Sequence, residues 1–356
     1  MRCIVLTGGG TAGHVVPHLA LLPHLKKHFD KISYIGSHDG IEKRIVAEQA
    51  VGVEYYSVAT AKLRRSLDVR NLAIPFKLIK GIAEAKKILK KLKPSIVFSK
   101  GGFVAYPVVR AAASLGIPVV AHESDITMGL ANRMSAKFCR VICTTFAKTV
   151  CQPKKIDTTR PTMVHTGSPI REEIYNGIPI KIERRHGLEA GRGNLLVFGG
   201  SLGATKINEV VRSALPELDF NIIHITGKGK VADIVRKWYV QLEFVGDIQN
   251  YFAWADVVVS RAGSNALCEL MVLRKPTLFI PLATGRGDQI ENAKEVSERN
   301  AGAVLREEDL TAESLIERIN EVYKNRERYK KNAAKMGDLD GTKKIAEILL
   351  KFALHQ

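Results

Sequence analysis

Two glycine-rich turns, each directly behind an apolar run, are the first places in this 356-residue chain where residue type and spacing suggest chemistry. In Gly8-Gly9-Gly10-Thr11-Ala12-Gly13-His14, the glycines at 8, 10 and 13 fit the spacing G-x-G-x-x-G. Glycines let the backbone approach a pyrophosphate, and the amides opening the following helix supply donors and the positive end of a dipole. A dinucleotide site would place an acidic residue at the end of the second strand, whereas residues 32–35 are followed by Gly36-Ser37-His38 and Asp39 comes late. His14 closes the turn at the mouth of a helix, where the dipole disfavours its protonation and suits it to act as a neutral general base.

Further polar clusters follow other apolar runs. Ser99-Lys100-Gly101-Gly102-Phe103 and His122-Glu123-Ser124-Asp125 both fall where a parallel strand would deliver them to a ligand crevice. In the second half, Gly199-Gly200-Ser201-Leu202-Gly203-Ala204 can hold a diphosphate as the first turn does. Arg261-Ala262-Gly263-Ser264 opens a helix that carries Glu269, a carboxylate suited to the two hydroxyls of a ribose. Asp288, Gln289 and Asn292 lie in an expected loop past residues 277–280 and have the side chains that bind sugar hydroxyls. The chain contains no G-x-x-x-x-G-K-[ST], H-E-x-x-H or G-x-S-x-G. Asp338-Leu339-Asp340 has no strand before it and reads as a helix terminus, so no metal site and no cofactor are expected.

These residues need strands and helices to position them. Apolar runs at 3–6, 32–35, 96–99, 118–121, 141–144, 195–198, 221–225, 256–260 and 277–280 alternate with segments of helical period. Strands apolar on both faces belong to parallel sheets covered by helices, which predicts a doubly wound α/β class. The strand, glycine turn and helix at residues 4–13 recur in outline at 195–204, so two Rossmann-like domains facing across a cleft are expected. The Gly- and Pro-containing stretch near 165–190 reads as the linker. The expected division is 1–165, 166–340 and a C-terminal helix at 341–356 that packs back on the first domain.

Charge separates the halves. Residues 1–165 hold 26 Lys/Arg against 10 Asp/Glu, and the remainder holds 28 against 26. The net of +16 in the first half predicts an anionic partner: nucleic acid, an acidic membrane leaflet or a phosphorylated substrate. Aromatic residues make up only 6% of the chain and no recognition motif is present, which argues against a nucleic-acid-binding module. Residues 62–93 carry 11 Lys/Arg against Asp68 and Glu84, around a single helical face of Leu78, Ile82, Ala85, Leu89 and Leu92. That stripe predicts a helix packed on the core, with Leu63, Ala73, Ile74 and Phe76 near an anionic membrane surface. The cysteines at 3, 139, 143, 151 and 268 are scattered and read as reduced thiols of a cytosolic protein. There is no signal-peptide pattern and no run of 18 uninterrupted apolar residues.

Taken together, these segments resemble the MurG family of N-acetylglucosaminyltransferases. The likeness rests on Gly9-Gly10-Thr11-Ala12-Gly13-His14 with Pro17, Gly101-Gly102-Phe103 with Pro107, and His122-Glu123. It continues through Gly167-x-Pro169-x-Arg171, Gly199-Gly200-Ser201-x-Gly203-Ala204, and Arg261-x-Gly263 with Glu269, in order to about residue 305. The resemblance implies a GT-B fold and an inverting transfer from UDP-GlcNAc to an undecaprenyl-diphosphate-linked acceptor at the cytoplasmic face of the membrane. It implies that Arg171 and Ser201 face the donor diphosphate and that Val245 meets the uracil through its backbone. Glu269 would hold the ribose, and Asp288 and Gln289 the GlcNAc hydroxyls. Thr11, Ala12, Gly13 and His14 would line the acceptor side, with His14 as a proposed base. Many family members read His-Glu-Gln-Asn where this chain has His122-Glu123-Ser124-Asp125, and carry an amide near the sugar where it has Asp288. Asp125 is therefore expected as a sugar ligand in place of asparagine or as the base. The competing readings are another GT-B transferase with a lipid acceptor, a nucleic-acid-binding protein and a nicotinamide-dependent dehydrogenase.

Overall fold

The apolar runs become the central strands of two parallel sheets. The structure, a computed structural model, describes residues 2–61, 73–149, 161–188, 191–200, 203–283 and 287–354. Leu63, Cys151 and Ser201 lie outside the described residues. The chain forms two units, Met1–Arg171 with Asp340–Gln356, and Glu172–Leu339.

The strands of the first unit are β1 (Cys3–Thr7), β2 (Lys31–Ser37), β3 (Glu54–Val58), β4 (Ile96–Ser99), β5 (Val119–Glu123), β6 (Val141–Thr144) and β7 (Thr162–His165). They pair in the order β3-β2-β1-β4-β5-β6-β7, all parallel. Side chains alternate across a strand, and helices cover both faces here, so β1 must be apolar throughout. Ile4 and Leu6 enter one core with Leu21 and Leu25 of α1 (Val16–Leu25). Val5 enters the opposite core with Ala85 and Leu89 of α3 (Ile74–Leu92) and Val108 and Ala112 of α4 (Ala105–Ser114). The last helix of the chain, α13 (Thr342–Leu354), adds Ile345 and Leu349 to the α1 side.

Asp340 begins the return to this unit. Its Oδ1 accepts the Thr342 N–H at 3.0 Å at the start of α13, and Thr342 Oγ1 accepts the Ile170 N–H at 2.8 Å. The second aspartate of the Asp-x-Asp pair thus serves a helix terminus.

The helix read from the basic segment forms as α3. Ala85 and Leu89 of its expected stripe are fully buried, while Leu78, Ile82 and Leu92 are half-buried. Gly81 joins the buried face because the Ala59 carbonyl lies where a Cβ would stand. Near the start of the helix, Phe76 and Ile79 point outward at 76% and 67% exposure.

The second unit repeats the plan with β8 (Gly193–Phe198), β9 (Phe220–Ile225), β10 (Tyr239–Leu242), β11 (Val257–Ser260), β12 (Thr277–Phe279) and β13 (Ala303–Val304). Their order is β10-β9-β8-β11-β12-β13, again parallel. Each sheet reverses its winding beside its first strand, between β1 and β4 and between β8 and β11, where α/β sheets bind ligands. Before β8, Glu172–Asn176 makes a 3-10 turn and Ile180–His186 a short helix, α6, with Ile174 and Ile182 buried.

Candidate active site

In the first unit, the turns after β1 and β4 flank the point where the winding reverses. They pack backbone on backbone: a Cβ at Gly102, whose φ is +77°, would overlap the carbonyl oxygen of Gly9. Only glycine allows both this conformation and this approach. Thr11 begins a 3-10 turn over Ala12–His14 that leads into α1. Thr11 and Gly13 are exposed and Ala12 and His14 half-buried, so this part of the loop can meet a ligand. Thr11 Oγ1 lies 2.8 Å from Nδ1 of His14, which fixes the ring's orientation. If Nδ1–H donates to Thr11, Nε2 keeps its lone pair and can take a proton.

The Gly8–Gly10 part of the loop has a different environment. Glu42 of α2 (Ile41–Gln49) is fully buried and reaches back to it. Its Oε2 accepts the Gly10 N–H at 3.2 Å, while Oε1 accepts the Ser37 N–H at 3.0 Å and the Ser37 hydroxyl. Tyr34 donates to the Gly8 carbonyl at 2.8 Å and Tyr55 to the Ser37 carbonyl at 2.7 Å. The Gly10 amide, which a dinucleotide pyrophosphate would use, is therefore bonded to a carboxylate of the protein. Sequence reasoning missed Glu42. It lies five residues past the end of β2, on the inward face of a helix, where only the helical period pointed to it.

The His122-Glu123-Ser124-Asp125 cluster separates into supports and a presented group. Glu123 is buried, and its carboxylate accepts from Asp125 N at 3.1 Å, Gly129 N at 2.9 Å and Asn132 Nδ2 at 2.9 Å. It thus organises the loop that follows β5. Burial, and then the charge of Asp125, push its carboxyl above the usual range. His122 is buried with Nε2 2.9 Å from the Gly167 carbonyl. Burial, and then the Lys100 charge, hold its imidazole well below its ordinary pKa. Asp125 is half-buried at the carboxyl end of β5, on the same edge of the sheet as His14. Arg171 is half-buried at the end of the first unit's N-terminal segment.

The second unit brings its candidates to the carboxyl edge of its own sheet. Gly203, just before α7 (Thr205–Ala214), has φ +68° and allows no Cβ because the Thr226 carbonyl occupies that space. Val245 is half-buried in the turn between β10 and α8 (Ile248–Trp254). After β11, α9 (Ser264–Val272) starts at the glycine-serine turn and carries Glu269, half-buried. Asp288 and Gln289 were expected in a loop but form the first turn of α10 (Asp288–Glu298), behind Gly287 at φ +78°. The helix begins as soon as this left-handed glycine has turned the chain. Gln289 Oε1 accepts the Leu282 N–H at 3.0 Å, leaving its NH₂ group to donate to a hydroxyl. Asn292 is buried and donates to the Ala262 carbonyl at 3.3 Å, tying α10 to the turn before α9.

Comparison with known proteins agrees with this double plan. Residues 4–144 match the Glycosyltransferase family 28 N-terminal domain and residues 194–349 the Glycosyltransferase family 28 C-terminal domain. The chain is 45% identical to a Clostridium botulinum (strain Loch Maree / Type A3) protein, with 99% of each chain covered. That protein is named UDP-N-acetylglucosamine--N-acetylmuramyl-(pentapeptide) pyrophosphoryl-undecaprenol N-acetylglucosamine transferase. A Lachnoclostridium phytofermentans protein of the same name is also 45% identical, over 98% of both chains. Among solved structures, Acinetobacter baumannii MurG superposes with a TM-score of 0.76 at 26% identity, covering 99% of this chain and 100% of that one. The glycotransferase of kitacinnamycin, at 14% identity and a TM-score of 0.75 over 98% of each chain, shares the fold. With both domains matched and relatives of this identity along its whole length, the chain belongs to glycosyltransferase family 28 and, within it, to the GT-B enzymes of the MurG family.

Proposed function

We infer that the chain transfers N-acetylglucosamine from UDP-GlcNAc to the 4-hydroxyl of the muramyl sugar in undecaprenyl-diphospho-MurNAc-pentapeptide, a step of peptidoglycan biosynthesis. The observation that carries this reading is the 45% identity to named transferases over 99% of both chains. A two-substrate enzyme spreads its binding residues over both units, so a match to one unit would support only a fold.

The chemistry is a single displacement with inversion. A base takes the proton of the acceptor hydroxyl, whose oxygen bonds to the anomeric carbon. The bond from that carbon to the β-phosphate oxygen breaks, and UDP leaves with the electron pair. His14 is the base on this reading, with Nδ1–H donating to Thr11 and Nε2 receiving the proton; Asp125 is its alternative or a sugar ligand. Thr11, Ala12 and Gly13 face the acceptor. Arg171 and Ser201 balance the charge growing on the diphosphate, Val245 meets the uracil, Glu269 holds the ribose, and Asp288 and Gln289 hold the GlcNAc hydroxyls.

The first unit works against an anionic membrane at the cytoplasmic face. Supporting this are the net charge of +16 in residues 1–165 and the outward Phe76 and Ile79 beside Lys77 and Lys80. Among the described residues, no helix is long and apolar enough to cross a membrane.

Thermal melting with UDP, UDP-GlcNAc and NAD tests the donor side. UDP and UDP-GlcNAc should raise the Tm and NAD should not. Glu269→Ala should shrink the UDP shift, whereas His14→Ala should keep it and lose turnover. A shift with NAD alone would overturn the reading, and full turnover in His14→Ala would remove that residue as the base.

A further inference from the structure

Lys100 has no role in the reaction as described, yet it is only 1% exposed and lies beneath the acceptor side of the first unit. It directly follows β4, and its backbone N–H donates to the Thr7 carbonyl at 2.9 Å, extending the β1–β4 pairing by one residue. Its side chain runs close to the Gly8 turn, where a Cβ on Gly8 would stand 3.2 Å from Cβ of Lys100. The Nζ ends 2.6 Å from His122 Nδ1 and 2.7 Å from Ser124 Oγ.

The proton arrangement here follows from the partners. His122 Nε2 lies 2.9 Å from the Gly167 carbonyl, which can only accept, so Nε2 carries the hydrogen. Nδ1 is then the acceptor, and the Lys100 ammonium donates to it and to the Ser124 hydroxyl. Ser124 adjoins Asp125, whose N–H donates to Glu123 Oε1 at 3.1 Å and whose carbonyl accepts from Thr149 Oγ1 at 3.4 Å. The backbone around Asp125 is thus tethered through Glu123, Thr149 and, by way of Ser124, Lys100.

A buried ammonium is costly, and an apolar side chain of similar size would fill the space at lower cost. Its position therefore points to a task beyond packing. We propose that Lys100, acting through Ser124 and His122, is a positioning residue that sets the loop presenting Asp125 to the acceptor sugar. This rests on the transferase function proposed above. It also gives a physical reason for serine at position 124: its short hydroxyl meets the ammonium at 2.7 Å.

The test is steady-state transfer from UDP-GlcNAc to undecaprenyl-diphospho-MurNAc-pentapeptide by the full chain, with each substrate varied in turn. Ser124→Ala should lower kcat/KM for the acceptor about tenfold, the scale of a lost hydrogen bond to a charged group. It should leave the KM for UDP-GlcNAc and the UDP thermal shift unchanged. Ser124→Thr, which keeps the hydroxyl, should retain most of the activity. Lys100→Met should lose at least as much as Ser124→Ala, and the double variant should be no worse than Lys100→Met alone, because one tether is being removed. If Lys100→Met does not fold, the comparison of Ser124→Ala with Ser124→Thr decides. Wild-type acceptor kinetics in Ser124→Ala, equal losses in the Ala and Thr variants, or a change confined to the donor KM would each overturn the proposal. A wild-type chain that transfers nothing would instead defeat the function on which it rests.

Discussion

His122 and Glu123 show how residue type and location together assign a role. Both are titratable and both stand at the end of β5, yet each is buried and bonded to backbone or neighbouring side chains, so they shape the loop that leaves Asp125 half-exposed. The sequence identified the cluster but could not divide it, because burial depends on what packs above it. Glu42 and Lys100 were less legible still, since each bonds to residues far along the chain. His18 offers a test at this scale. It is 1% exposed and edge-on to Tyr34 and Phe98. Burial, and then the Lys100 charge, lower its pKa from 6.5 to about 3. With the folded value depressed, its contribution to stability is fully present above the unfolded pKa of 6.5 and is lost as pH falls toward 3, because only the unfolded chain takes up the proton. The slope in that window is about 1.4 kcal/mol per pH unit. His18→Leu should flatten the acid loss of stability by about that slope between roughly pH 6 and pH 4.5, measured by urea unfolding. An unchanged slope would contradict the burial argument.

Among elements, the strands that the sequence revealed and those it concealed differ by position in the sheet. All nine apolar runs became strands in the interior of the two sheets. The four that were not foreseen, β3, β7, β10 and β13, are the sheet edges. Their residues are mostly half-buried, as in Glu54-Tyr55-Tyr56-Ser57-Val58 and Thr162-Met163-Val164-His165, so no continuous apolar run marks them. The segment near 165–190 likewise looked like linker by composition, yet Ile174 and Ile182 are buried within it. The expected stripe of α3 was legible because its period survives the surrounding lysines, whereas Ile79, outward three residues after the expected Phe76, emerged only with the fold. If that end of the helix meets the membrane, Phe76→Ser with Ile79→Ser should weaken binding to phosphatidylglycerol vesicles roughly tenfold or more, from the apolar area no longer buried. Sedimentation with such vesicles measures this, and equal binding by wild type and variant would sink the membrane contact.

At the scale of the whole molecule, the repeat of strand, glycine turn and helix anticipated two sheets wound in the same order, each with its turns at the carboxyl edge beside its first strand. The two units diverge in what surrounds those turns. In the first, the Gly10 amide is bonded to Glu42, Thr11 and Gly13 are exposed while Ala12 and His14 are half-buried, and residues 1–165 carry a net charge of +16. In the second, the charge is nearly balanced and the candidates Val245, Glu269, Asp288 and Gln289 come from three different connections of the sheet. The charge split was legible in the sequence, whereas the bond between the Gly10 amide and Glu42 emerged only with the fold. Transfer of the sugar to the lipid-linked acceptor can be followed directly. Purified protein is incubated with radiolabelled UDP-GlcNAc and undecaprenyl-diphospho-MurNAc-pentapeptide in detergent, and label in the lipid product is followed with time. The expected result is label transferred to the lipid-linked disaccharide with one UDP released per sugar. Absence of transfer to this acceptor, with transfer to another lipid such as diacylglycerol, would contradict the assigned reaction.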